Sequence, residues 1–355
     1  MSSFKYTRPI IFLFVGLFIF FLYLYFYVGF SQISSVLRGI NSGQYVFFYS
    51  LAIGAIVLGN FFWLASWRGV LNTLSVKISL KNAFLYYWSG YFVDLIVPSE
   101  TVGGEVTRLY LVHKETKEDY GLIASGGITN HIVDNTIIVA GLYTSTVLLF
   151  FKSKTPLFIW SFLTPILLGA STYLAIMLYL ALSKQAASKI ASLALKVLRI
   201  VRPKKYLSKD LSPETKETLA SFYSGFKVFR ENPRHLVKPF ILLTISFLVT
   251  LLAYILVFFA LGIQSESFAF FIIVYFVAGS LTDAAGSFSV GTLDIILSTI
   301  FILYGLPRAE SGITAALLRS VTFWFPLLLG YVIVQIVGAK NILAPPPAPK
   351  ITDKE

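Results

Sequence analysis

Long apolar runs separated by short polar links dominate the chain, and they fall into two length classes. The longer class comprises residues 10–30, 45–67, 122–151, 157–182, 239–261 and 313–337, each long enough to supply the ~20 apolar residues that a bilayer-crossing helix needs. The shorter class comprises 83–97 and 268–281. The first of these stops at Pro98 and passes the Gly103-Gly104 pair; the second is broken over 282–291, which holds Gly286 and Gly291, before apolar sequence resumes over 292–306. Short hydrophobic segments interrupted by Gly or Pro at corresponding places in two halves of a chain point to a binding site inside a membrane protein. The pattern therefore predicts an all-α fold, a polytopic transmembrane helix bundle with about six full spans. Two re-entrant hairpins would enter it from opposite faces, as an inverted repeat. A bundle of eight or more full spans is the alternative.

The polar links orient this bundle. Lys5 and Arg8 precede the first span, and residues 184–238 carry a dense run of Lys and Arg against only Asp210, Glu214, Glu217 and Glu231. Basic loops stay on the cytoplasmic side, so both termini are expected there. Within that segment Ile190, Leu193, Ala194, Val197, Leu198 and Val201 recur at helical spacing, as in a helix lying in the membrane interface. Ser212-Pro213-Glu214 reads as a helix start, aligning Leu219, Phe222, Phe226 and Phe229 on one face. Residues 1–340 are expected to form one transmembrane domain. The Pro-rich stretch after it offers no packing face, so 341–355 is expected to be a disordered tail.

Composition narrows the function. The chain is 56% hydrophobic and 13% charged, which would leave a soluble fold with an apolar exterior. It has no cysteine, which excludes a disulfide framework, a thiol nucleophile and a cysteine-ligated metal. His113, His131 and His235 are far apart in sequence, so no metal site and no cofactor are expected. The net charge of +12 sits between spans and suits an anionic lipid surface rather than nucleic acid. The first apolar run is too long for a signal-peptide core and lacks an Ala-x-Ala-like end. Abundant Ile, Tyr and Lys without Cys hint at a thermophilic, archaeal source.

Charges in apolar sequence cost roughly 2.5–3.5 kcal/mol each on insertion scales, so they face a cavity or a partner. The set is Asp94, Glu105, Arg108, Asp134, Asp283, Asp294 and Arg319. Glu105 and Arg108 share one helix face at i, i+3. Arg108 could equally be an interfacial anchor, Asp283 a helix cap, Arg319 a snorkelling residue, and His131 a packed, hydrogen-bonded one. Gly103, Gly104, Gly286 and Gly291 allow close backbone approach, and a helix starting after such a break offers free N–H groups to a phosphate. Simple hairpin turns are the competing explanation.

At these residues the chain resembles the lysylphosphatidylglycerol synthase transmembrane-region, or flippase-like, family. The likeness rests on Pro98, Gly104-Glu105 and Arg108; on Asp134, with His131 where that family usually has arginine; and on Gly291, Asp294, Gly305, Arg319 and Pro326. Ser287-Phe288-Ser289 replaces the family's Pro-Gly-Gly. What the resemblance implies is lipid handling: its members include the flippase part of the multiple peptide resistance factor, and others are linked to polyprenyl-phosphate or lipid-linked sugar translocation. No stretch here is expected to hold the aminoacyl-transfer domain of the lysyl-lipid synthases.

The expected function is movement of an anionic, phosphate-bearing lipid across a cell membrane. Arg108, Arg319, Gly103, Gly104 and Gly291 would bind the headgroup, and Glu105, Asp94, Asp134, Asp283 and Asp294 would balance charge or carry protons. Two alternatives stay open. One is a lipid-linked glycosyltransferase or other membrane enzyme using Glu115, Glu118 and Asp119; the other is a secondary transporter of a small solute.

Overall fold

The computed structural model describes residues 41–96, 102–151, 157–183, 213–263, 268–285 and 291–338, with isolated positions between 18 and 40. The predicted first span falls almost wholly outside the described residues, and the interfacial helix near Ile190, Pro98, Gly286 and the Pro-rich tail lie outside them too. All regular structure among the described residues is helical. In chain order the helices are α1 (Ser42–Thr73), α2 (Leu80–Ile96), α3 (Val102–Thr116), α4 (Tyr120–Phe151), α5 (Leu157–Leu182) and α6 (Pro213–Glu231). After a 3₁₀ turn at Pro233–Leu236 come α7 (Val237–Ala260), α8 (Phe268–Ala285), α9 (Thr292–Leu303), α10 (Arg308–Arg319) and α11 (Phe325–Val337).

Five helical segments are long and apolar enough to cross a bilayer: Ser42–Thr73, Tyr120–Phe151, Leu163–Leu182, Pro233–Ala260 and Arg308–Val337. They coincide with the predicted long runs. The last is one column with a widened π turn at Ser320–Trp324. Its cause is Pro326, which has no N–H to give and crowds the carbonyl one turn back, so the hydrogen-bond ladder loosens just before it. Many large apolar side chains, among them Phe47, Leu168, Phe240, Leu328 and Ile336, face outward. Such an exterior suits a hydrocarbon solvent, where backbone polar groups must be satisfied inside helices.

The halves meet along α1 and α7, which run antiparallel in close contact. The direction is fixed by three cross-links: Gln44 Nε2 donates to the Phe259 carbonyl at 2.8 Å, the Ser246 hydroxyl to the Gly59 carbonyl at 2.8 Å, and the Ser66 hydroxyl to the Pro239 carbonyl at 3.4 Å. α1 contributes to both large apolar cores, one with α7–α10 and the other with α2, α4, α6 and α11.

Each half then follows one plan. A long helix (α1 or α7) leads into a helical hairpin (α2/α3 or α8/α9), which leads into a closing long helix (α4, or α10 with α11). The first arm of each hairpin packs on the closing helix of the other half, α2 on α11 and α8 on α4. This reciprocal packing is that of an inverted repeat. Connectivity puts the α2/α3 hairpin at the end of the bundle that also bears Lys77, Lys114, Lys227 and Lys238, and the α8/α9 hairpin at the opposite end.

Two expectations are refined. The helix begun at Pro213 does form, but its apolar face is not spread on a surface: Phe226 and Phe229 are buried, and α6 packs on the start of α4. The predicted break at residue 282 comes later, because α8 continues through Asp283 to Ala285. Asp283 thus lies in the last turn of α8, and Asp294 caps α9.

Candidate functional site

The first hairpin gathers five ionisable side chains. α2 brings Asp94 in its last turn, α3 brings Glu105 in its first turn and Arg108 three residues on, and α4 brings His131 and Asp134. Arg108, only 3% exposed, lies between two carboxylates. Its Nη2 donates to Glu105 at 2.9 Å and to Asp94 at 3.3 Å, and its Nε donates to Glu105 at 3.1 Å. The Gly104 N–H donates to the other Asp94 oxygen at 2.7 Å. A side chain at Gly104 would strike the Asp94 carboxylate and the Gly90 carbonyl, so this glycine is what lets α2 and α3 close on each other. Gly103, beside it, gives its carbonyl to the Thr107 hydroxyl.

The cluster is tied to its neighbours by aromatic residues and a histidine. The guanidinium carbon of Arg108 lies 5.6 Å from the Trp63 ring centre and 5.9 Å from that of Tyr87, within cation–π range. The Nε2–H of His131 donates to Glu105 at 2.5 Å. The indole N–H of Trp63 donates to Asp134 at 2.9 Å, and the Tyr87 hydroxyl donates to Asn60.

The second hairpin holds a simpler pair. Gly291 has φ +78°, a left-handed conformation that favours glycine, and its N–H donates to Asp294 at 2.9 Å, capping α9. The other Asp294 oxygen lies 3.6 Å from Nε of Arg319 in α10. Both residues are buried. The Arg319 guanidinium stands 4.6 Å from the Phe323 ring centre, in the π turn that Pro326 causes.

A cavity of about 250 Å³ lies between the halves, and both hairpin regions reach it. Asp134 and Asn60 line it from the first half and Arg319 from the second. Tyr87, Tyr91, Tyr254 and Tyr275 line it as well, and the remainder is mostly Ile, Leu and Phe. Of the expected headgroup ligands, then, Arg319 faces this space. Arg108, Gly103, Gly104 and Gly291 do not line it, nor do Glu105, Asp94 and Asp294, which are engaged in the hairpin clusters. The tyrosines and Asn60 were not singled out in the sequence. Asn60, the amide inside an apolar run, was the available signal.

Among the described residues, no three His, Asp or Glu side chains converge in an arrangement able to hold a metal ion. The carboxylates nearest the end of α3 are in structural use. Asp119 accepts from the Gly121 N–H at 2.7 Å as the cap of α4, and Glu115 accepts from Asn82 at 2.8 Å.

These features define a class: a multi-pass helical membrane protein built as two inverted halves around a tyrosine-lined cavity with one cation and one carboxylate. Within that class, the chain belongs to the lysylphosphatidylglycerol synthase TM region family, matched over residues 13–330. It is 26% identical to a UPF0104 membrane protein of Methanocaldococcus jannaschii, over 95% of this chain and 97% of that one. A UPF0104 membrane protein of Pyrococcus horikoshii is 22% identical over 81% of this chain and 86% of its own length. One from Methanothermobacter thermautotrophicus is 29% identical over 33% of this chain and 38% of its own. No solved structure matches the chain.

Proposed function

We propose that this protein carries an anionic, phosphate-bearing lipid across the membrane, with the headgroup passing through the cavity between the halves. The lipid would be a phospholipid, a polyprenyl phosphate or a lipid-linked sugar. The observation that carries this reading is Arg319: a buried guanidinium that lines a cavity roofed by apolar and tyrosine side chains. A guanidinium offers a rigid fork of donors that matches phosphate. At about 250 Å³ the space suits a headgroup rather than acyl chains, which would remain in the bilayer. Family membership supports a lipid-related role.

In this reading Arg319 takes the phosphate, while Asp134, Asn60 and the tyrosine hydroxyls meet the polar remainder of the headgroup. Arg108, now enclosed by Asp94 and Glu105, and the backbone at Gly103, Gly104 and Gly291 become available when the hairpins move. Asp283 and Asp294 balance charge on the opposite hairpin. In this reading the first hairpin's end, and both termini, face the cytoplasm, which the excess of Lys and Arg around that hairpin supports.

The test uses the full chain in vesicles whose outer-leaflet fluorescent phospholipid or polyprenyl phosphate is quenched chemically. Wild type is expected to expose inner-leaflet lipid to the quencher, and Arg319→Gln to fall to the protein-free rate. Lys227→Gln, an exposed change on α6, is the control expected to act as wild type. Equal rates for wild type and Arg319→Gln would overturn the mechanism.

A further inference from the structure

The two hairpins carry ion pairs at equivalent positions, and the equivalence can be checked residue by residue. Glu105 and Asp294 each occupy the first turn of a hairpin's second arm. Their partners, His131 and Arg319, each stand at the twelfth residue of the following helix, counted from Tyr120 and Arg308. Further along those closing helices, Gly141 meets Phe276 of the opposite hairpin and Gly330 meets Phe92, so each glycine faces the first arm of the other half's hairpin. The repeat thus places His131 where its mate has a permanent cation. A guanidinium keeps its charge at every physiological pH, whereas imidazole is the side chain that gains or loses one between about pH 5 and 8.

We propose that Glu105 and His131 form a proton-binding coupling site, the inverted-repeat counterpart of Asp294–Arg319, through which proton binding drives lipid movement. This rests on the translocation reading above and names its coupling ion. The charges around His131 make the site responsive. α3 presents Glu105 and Arg108, α2 presents Asp94 and the Tyr87 hydroxyl, α4 itself presents Asp134, and α1 presents the uncharged Trp63. α7 and α8 bring Tyr254 and Tyr275 to the adjoining cavity, α5 contains no charged residue, and the Lys227–Glu231 pair of α6 is exposed.

With His131 as imidazolium, it and Arg108 offset Asp94 and Glu105, while Asp134 is held by the Trp63 N–H. The proton that leaves is the one on Nδ1, because Nε2–H stays on Glu105. Its loss leaves the Asp94 and Glu105 carboxylates sharing one buried guanidinium and weakens the tie between α3 and α4. A buried charge set that loses its balance is costly. The first hairpin is therefore locked when the proton is bound and released when it leaves, while Arg319 in the other half keeps its charge for the lipid.

The experiment reads protons beside lipid in vesicles enclosing a pH-reporting dye. Wild type is expected to move protons in step with lipid. An imposed difference of one pH unit is expected to bias lipid distribution up to tenfold for one proton per lipid. His131→Arg, which copies the mate's fixed charge and so holds the hairpin locked, is expected to stop lipid movement and proton flux together; His131→Gln, uncharged at every pH, should be blind to the imposed difference. Wild-type lipid movement indifferent to a pH difference overturns the coupling site and leaves translocation standing. A response that survives in His131→Arg also overturns it. Absence of lipid movement in wild type sinks the translocation reading instead, and the imidazole resonances of the three histidines then test His131 directly. The signal missing from His131→Gln should change protonation state with pH, and one fixed in a single state over the whole range in which the protein stays folded overturns the site.

Discussion

At the first hairpin a guanidinium sits inside two carboxylates, is covered by Trp63 and Tyr87, and is fastened to α4 through Glu105 and His131. At the second, Asp294 caps its own helix through Gly291 and faces Arg319 across 3.6 Å, and that arginine looks into the cavity. The parts are alike and the two arginines equally buried, yet only the second lines the cavity. An arginine held by several carboxylates has its donors committed and acts as a clasp between helix ends. An arginine that lines a cavity can turn donors toward a ligand there. In an inverted repeat these are two stages of one cycle, so the opposite access state would exchange them.

The widest separation between the two sites is expected from removing each arginine. Arg108→Ala strands Asp94 and Glu105 together, and breaking a buried pair costs about 3–5 kcal/mol. Arg319→Ala strands only Asp294, which keeps its cap, so thermal unfolding in detergent should show the smaller loss of stability there and vesicle assays the complete loss of lipid movement. Combining Arg108→Met with Asp94→Asn and Glu105→Gln should restore much of the stability without restoring transport. Equal thermal losses for the two single variants would erase the distinction between clasp and ligand.

A middle-sized effect tests whether the halves are equivalent. Gly141→Leu and Gly330→Leu each drive a side chain into a phenylalanine of the opposite hairpin, and overpacking of this kind costs about 1–3 kcal/mol. Similar losses in both support the repeat, whereas a loss confined to one shows that only that hairpin is packed against its neighbour in the membrane. The smallest expected effect lies outside both sites. Asp119→Ala removes the α4 cap, worth about 1 kcal/mol, and should leave lipid movement at the wild-type rate. Loss of a labelled lipid product in this variant would revive the enzyme alternative.

Much of the architecture was legible because the signals are local. A run of about twenty apolar residues, a run cut short by Gly or Pro, and Ser212-Pro213-Glu214 at a helix start all report on their own neighbourhoods, and α1, α4, α7 and α6 follow from them. Glu105 beside Arg108 was local as well, through i, i+3 spacing. Asp94 was visible only as a charge in apolar sequence. Its bond to Arg108 and the Glu105–His131 contact depend on how α2, α3 and α4 pack, which no window along the chain contains. The cavity was the least legible feature. Tyr87 and Tyr91, Tyr254, and Tyr275 come from three separate stretches of apolar sequence, where tyrosine reads as an interface residue until helices from different halves bring the side chains to one cavity.

The placement of the charges also bears on how the chain enters the membrane during synthesis. Asp94, Glu105, Arg108, His131 and Asp134 find their partners within the first half, and Asp294 and Arg319 find each other within the second. Among the described residues, no ion pair has to wait for the other half to emerge from the ribosome. Each half can therefore settle into lipid with its own charges answered, and the long basic segment between α5 and α7 is a natural place to divide the gene. Two polypeptides made separately, cut within that segment, would meet along α1 and α7 through hydroxyl, amide and apolar contacts alone.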